Sequence, residues 1–383
     1  AAHAALCAKK DAAGAFMSWC GMVEAAVHGF DDLKILDRCI DSLDGLLKEF
    51  PEFPTIEIEH RVSLSMFMAL SFRAPQHPEA NIWAQKTFDI MEETADPDLA
   101  AYISPYLVDY FLWTGNMERA DLVAEKMAKA VDLKGSSPMT VIAAKLTAAL
   151  NHWYHGRVQF CLSAVTEGLK VAETKGVNVF NYFLFGHAAV CLLTSGDVKG
   201  AEPYIKLMGS VIDSSSKRLC ASYYHHVVAC SRLLKKDFAG ALEHEEHSLS
   251  LAVRLGSPFG EAMSRTGLAL LLFEVGERQR AYAELSEARA LAISSGSALT
   301  EFISYLFEAY FGLMEGDKGR AVESLRSAMS LGSKKGFVNF HMWSPEIISR
   351  LCVLALCENM ETNYVKKLII ARNIFPENPP LEV

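Results

Sequence analysis

No run of this sequence approaches the roughly 18 uninterrupted apolar residues that a membrane-spanning helix needs, which excludes a spanning segment of that kind. No leader is expected at this start either. Lys9, Lys10 and Asp11 stand where a signal peptide would carry its apolar stretch, and the cytoplasm is the expected compartment. Proline is scarce, 13 in 383 residues, and 51% hydrophobic against 22% charged residues leaves little that reads as disordered. Basic charge is in deficit, 37 Lys and Arg against 46 Asp and Glu, a net −9. A segment that grips a phosphate backbone concentrates positive charge, so direct nucleic-acid contact is not expected. No Cys-x-x-Cys pair occurs among the nine cysteines, whose odd number and apolar neighbours mark them as small core residues rather than disulfide or zinc ligands.

Signatures of catalysis are missing as well. There is no Gly-x-x-x-x-Gly-Lys-Ser/Thr phosphate loop, no basic recognition helix, no nucleophile elbow and no glycine-rich cofactor loop. His244-Glu245-Glu246-His247 sets two imidazoles three apart, whereas a zinc helix of the His-Glu-x-x-His type needs them four apart. That segment should lie on a helix whose outer face is convex and wet. Glu301 and Glu308 share one helix face, but carboxylates so arranged are usually solvated. A binding domain is expected rather than an enzyme, with no metal and no cofactor of its own.

What is abundant is a repeat. A short breaker followed by a helix start recurs at Gly115-Asn116, Gly156-Arg157, Gly196-Asp197, Lys236-Asp237, Gly276-Glu277 and Gly316-Asp317, at steps of 41, 40, 40, 40 and 40. Five residues on stands a small side chain (Ala120, Cys161, Ala201, Ala241, Ala281, Ala321), and twenty on a second breaker (Gly135, Gly176, Ser216, Gly256, Gly296, Gly336). Glycine suits a helix end because it tolerates the left-handed conformation, and Asp or Asn beside it caps the next helix. Between breakers the apolar residues fall at helical spacing, as in Ala188, Ala189, Leu192 and Leu193. Each unit is therefore two helices and two turns.

Ala149, Ala189, Ala229, Ala269 and Ala309 hold one phase, each twelve residues before the small residue of the second helix. Apolar residues follow four and seven further on, as in Ile205 and Met208, Leu285 and Ala288, Leu325 and Ala328. This pattern resembles the tetratricopeptide repeat. It departs from that family in period, about 40 rather than 34, and in the early tryptophan, replaced here by Lys145, Phe185, His225, Arg265 and Tyr305. The resemblance implies an all-α fold, a right-handed superhelix (α-solenoid) of about nine helix-turn-helix units forming one domain over 1–374. An irregular first hairpin occupies 1–54, with a pair over about Ala8 to Phe50. Repeats fill 55–374, beginning with a pair over Ile56 to Glu93 and ending with Trp343 to Met360 and Thr362 to Ile374. Residues 375–383 read as a linker toward a missing downstream module. The first residue is not Met, and the chain is expected to be a piece of a longer protein.

A 40-residue period resembles the helical sensor region of bacterial signal-transducing ATPase (STAND) transcriptional regulators, the maltose-activator type or those with a bacterial transcriptional activator domain. The ending Ile374-Phe375-Pro376-Glu377-Asn378-Pro379-Pro380 is similar to the connector after the last repeat in such regulators. The resemblance implies effector sensing, with a small molecule or partner protein on the concave face biasing a switch. ATP and DNA binding are implied only for modules outside this chain. Self-association is implied too, and the first pair, around Phe16 to Phe30, is expected to meet an upstream module. A tetratricopeptide adaptor that holds a peptide is the alternative.

Two stripes of the first helices compete for the groove. One, read from variation at fixed phase, holds Lys145, His152, His225, Arg232, Arg265, Tyr305 and Glu308. The other, from tetratricopeptide geometry, holds Trp153, Tyr154, Phe183, Tyr223, His226, Glu274 and Tyr310. Residues of the Tyr223-Tyr224-His225-His226 run are near both, and aromatic and imidazole side chains together suit a polar effector. For any one of these residues, ordinary packing is the competing explanation. A closed aromatic cavity would favour a small effector, an open channel with an Asn and Lys ladder a peptide.

Overall fold

The computed structural model describes residues 2–131, 135–212 and 217–375. Ser216 and the tail from Pro376 onward lie outside the described residues. Among those described there are nineteen α-helices and no strand. A short α1 (Ala2–Ala8) precedes nine helical hairpins. They are α2 (Ala12–Gly29) with α3 (Ile35–Glu49), α4 (Ile56–Arg73) with α5 (Ala80–Glu93), and α6 (Pro97–Thr114) with α7 (Met117–Ala130). Next come α8 (Pro138–Tyr154) with α9 (Val158–Lys175), α10 (Asn181–Thr194) with α11 (Val198–Val211), and α12 (Arg218–Leu234) with α13 (Phe238–Leu255). The last are α14 (Pro258–Glu274) with α15 (Arg278–Ser295), α16 (Ala298–Glu315) with α17 (Lys318–Lys335), and α18 (Pro345–Cys357) with α19 (Thr362–Arg372).

Local chemistry sets these ends. Ser137, Ser257 and Ser344 each accept a hydrogen bond from the amide three residues on, with proline in the first turn. Asn116, Asp197, Asp237 and Asp317 do the same for second helices. Gly176, Gly256, Gly296 and Gly336 close second helices in the left-handed conformation. Lys236 adopts φ +61° where neighbouring units place glycine.

The alanine row at 149, 189, 229, 269 and 309 is fully buried, as are Cys161, Ala201, Ala241, Ala281 and Ala321 opposite. Small side chains on both sides let the two axes of a hairpin approach, and larger ones would force them apart.

The solenoid winds tightly enough that one superhelical turn rests on the next. Leu33 N–H donates to Leu255 O at 2.9 Å and Leu219 N–H to Phe30 O at 3.0 Å. Arg73 donates to Gly256 O at 3.1 Å, and Arg372 to Thr194 O. These partners stand four or five repeats apart in sequence. No described helix is long and apolar enough to cross a membrane.

The first hairpin corrects one expectation. Phe16, Trp19, Val23 and Val27 are fully buried, Phe16 packs against Phe53 at 5.0 Å between centroids, and the Trp19 indole donates to Cys39 O. The apolar face expected to meet an upstream module packs within the chain, against α3, α4 and the segment after α3. Phe30 likewise packs on Phe183, at 5.7 Å.

Candidate functional site

The winding leaves an axial channel between first helices, and the chain fills it with its own segment. After Gly336 the next helix should start within two to five residues, as α14 does after Gly256, α16 after Gly296 and α10 after Gly176. Instead residues 337–344 run as a non-helical strap before α18 begins at Pro345. Phe337 to Trp343 are all buried. Asn339 Nδ2 donates to Trp153 O at 2.8 Å and lies 3.4 Å from Thr194 Oγ1. The His341 ring meets Trp153 at 4.5 Å, His226 at 5.1 Å and Tyr223 at 6.0 Å between centroids. Phe340 packs on Phe302 and Phe307, and Met342 Sδ lies 3.5 Å from Cys230 Sγ. Gly267 makes room for it, since a Cβ there would stand 2.8 Å from Met342 Cε. The strap thus touches α8, α10, α12, α14 and α16.

The two stripes separate cleanly. Trp153, Tyr223 and His226 face the strap. Phe183 sits further along on Phe30, and the Tyr310 hydroxyl donates to Glu274 at 2.8 Å. The other stripe does not line the channel. Lys145 pairs with Glu167 at 2.5 Å, Arg265 with Glu284 at 2.5 Å and with Glu261, and Glu308 with Arg289 at 2.6 Å. Arg289 also lies over the Tyr305 ring, Arg232 pairs with Asp237, and His152 packs on Phe160. Variation at that phase reflects the different second-helix partner in each repeat, so opposite charges face one another locally instead of facing a ligand.

The His-Glu-Glu-His segment splits in the same way. His225 Nδ1 lies 2.8 Å from His244 Nδ1, and the His225 ring stacks on His247 at 5.2 Å. Burial and these two imidazoles push His225 down to about 4. Glu245, one residue on from His244, is fully buried and points inward, not onto a wet face. Its carboxylate accepts from His226 Nδ1 at 2.8 and 3.1 Å, with neither side chain exposed. Burial alone would lower His226; Glu245 reverses this and holds the imidazole protonated well above 6.5. Burial, then the charge on His226, drive His341 well below 6.5. Burial also holds His187 down to about 4 and lifts Asp109 to about 6, the latter against a hydrogen bond from the Trp113 indole. Asp109 keeps some accessible area yet is walled in by protein, which is why its charged form is disfavoured. The channel wall thus holds one buried imidazole–carboxyl pair, His226 with Glu245.

At the channel mouth lies a cavity of about 310 Å³, walled by Leu233, Phe238, Val198, Tyr310, Glu274 and the strap's exit, Ser344 to Ile347. Lys236 and Glu346, 3.4 Å apart, stand on its rim. A broader depression beside α17, between Lys318, Val322, Arg326 and Glu358, shares no residue with this lining. Of the groove candidates read from the sequence, Tyr310 and Glu274 belong to the mouth. The strap and the inward Glu245 were not picked out from sequence. The spacing from Gly336 to the Ser344-Pro345 cap, longer than in other repeats, was the available signal for the strap.

This is a tetratricopeptide-like helical-repeat solenoid. The chain is similar to the crystal structure of a Rap protein complexed with competence and sporulation factor, with TM-score 0.57 and 11% identity over 82% of this chain and 87% of that one. It is also similar to the Saccharomyces cerevisiae separase–securin complex, with TM-score 0.51 and 10% identity over 95% of this chain but only 28% of that chain. The apo form of RapI aligns over 94% of this chain at TM-score 0.46 and 11% identity. At such identities the likeness is one of fold. No family model and no curated protein matches the sequence.

Proposed function

We propose that this chain is a non-enzymatic, cytoplasmic sensing domain that takes a small polar effector in the cavity at the channel mouth. The observation that carries this reading is the cavity's position. One wall belongs to the repeats, at Leu233, Glu274 and Tyr310, and the other to the strap exit and the start of α18. An occupant would bridge the body of the solenoid and its last hairpin, and so bias their relative position. Tyr310 and Glu274 offer a hydroxyl and a carboxylate amid apolar walls, the mix that orients a small polar ligand. With residues 337–344 seated in it, the axial channel presents no open peptide ladder, which leaves the mouth as the accessible site. The wider setting, a regulator with ATPase and DNA-binding modules outside this chain, rests on the 40-residue period. The Rap structure with its bound factor supports a binding role for a solenoid of this kind.

A thermal-shift screen against sugars, nucleotides and small metabolites tests it. A ligand that binds only the folded state stabilises by about 2.7 kcal/mol at one hundred times its Kd. The expected outcome is a dose-dependent rise in Tm that Tyr310→Phe combined with Glu274→Gln removes. A flat screen on folded protein, or a shift indifferent to both substitutions, would reject the cavity as an effector site.

A further inference from the structure

The strap has the features of a ligand rather than of a connector. Residues 337–344 hold no Asp, Glu, Lys or Arg, which suits a channel where any further charge would lie buried without a partner. Aromatic residues stand at every third position, and Phe337, Phe340 and Trp343 are 1%, 0% and 3% exposed. Asn339 and His341 make side-chain contacts to first helices of three successive repeats. A loop that only joined α17 to α18 would not need the nine residues from Gly336 to Ser344, because α13 and α14 are joined by two and α9 and α10 by five.

Its seat is also imperfect. Met342 adopts φ +59°, a left-handed backbone that a non-glycine residue resists. The Asn339 Oδ1 and His341 Nδ1 atoms are buried without a protein partner, as are His226 Nε2 and His187 Nδ1 on the channel wall. A tethered segment tolerates such defects because its attachment supplies a high effective concentration. We propose that residues 337–344 are a cis-bound peptide that occupies a peptide-binding channel, and that the channel's partner is an uncharged, non-helical segment with aromatics at every third position, which enters by displacing them. This goes beyond effector binding at the mouth and does not depend on it.

The probe is a fluorescently labelled synthetic peptide of residues 336–345, added to the whole chain and followed by anisotropy. The intact protein should bind it weakly, since the cis copy competes. The Asn339→Ala/His341→Ala chain, with its own strap loosened, should bind it at least tenfold more tightly, and adding Tyr223→Ala should reverse that gain. Equal affinity for both chains, with the double variant folded by circular dichroism, overturns the proposal. If the double variant does not fold, hydrogen exchange on the unaltered chain decides. Strap amides should exchange at least tenfold faster than those of α12 and α14, and equal protection would mean the strap leaves only on global unfolding, which refutes displacement.

Discussion

Replacing Glu245 by Gln removes the partner of a charge held at the centre of the molecule. His226 and Glu245 are both fully enclosed, and the imidazole touches both carboxylate oxygens. Breaking a buried pair on one side typically costs about 3–5 kcal/mol because the remaining charge is left without compensation. Gln keeps one acceptor and His226 can release its proton, so we expect a loss of about 2–4 kcal/mol, measured by urea denaturation at pH 6. The double change His226→Gln/Glu245→Gln should recover at least about 1 kcal/mol of this, since two amides satisfy each other without charge. The pH dependence carries a sign. His226 is raised in the folded state, so the pair's contribution is complete below pH 6.5 and is lost as pH rises through the folded-state value. The gap between the unaltered chain and Glu245→Gln should therefore narrow as pH rises from 6 through the folded-state value of His226. A cost under about 1 kcal/mol at pH 6, or a gap that widens with pH, would refute the assignment of a charged His226.

His187 works in the opposite direction: burial holds it down to about 4, so its contribution is present above pH 6.5 and is lost as pH falls. By pH 4 this amounts to about 3 kcal/mol, and His187→Gln should flatten the acid limb of a stability–pH curve relative to the unaltered chain. Lys236→Gly should raise stability by about 1 kcal/mol in urea melts, because Lys236 holds φ +61° and its pairing with Glu346 is solvent-exposed. No gain, or a loss, would show that the lysine side chain stabilises the turn by more than its backbone costs.

The repeat was legible in sequence because its determinants are local. Gly256, Asp237 and Ser257 act within a few residues of where they stand, and the alanine row needs only its partner twelve positions on. The hairpin over Ile56–Glu93 and the last pair could be read this way, and so could the identity of both stripes. Which stripe faces the axis could not. Lys145 and Trp153 sit on one helix, and their fates depend on Glu167 on the next helix and on Asn339, 186 residues away. The winding of the superhelix sums small rotations over four or five repeats, which no single turn encodes. Sequence thus determined the helices, their caps and their pairing, through interactions of short range. Tertiary structure alone decided that the channel closes, that residues 337–344 fill it, and that one buried carboxylate turns inward to hold a proton there. Those outcomes arise where surfaces more than a hundred residues apart exclude water together, and burial by distant partners leaves no periodic trace in the chain.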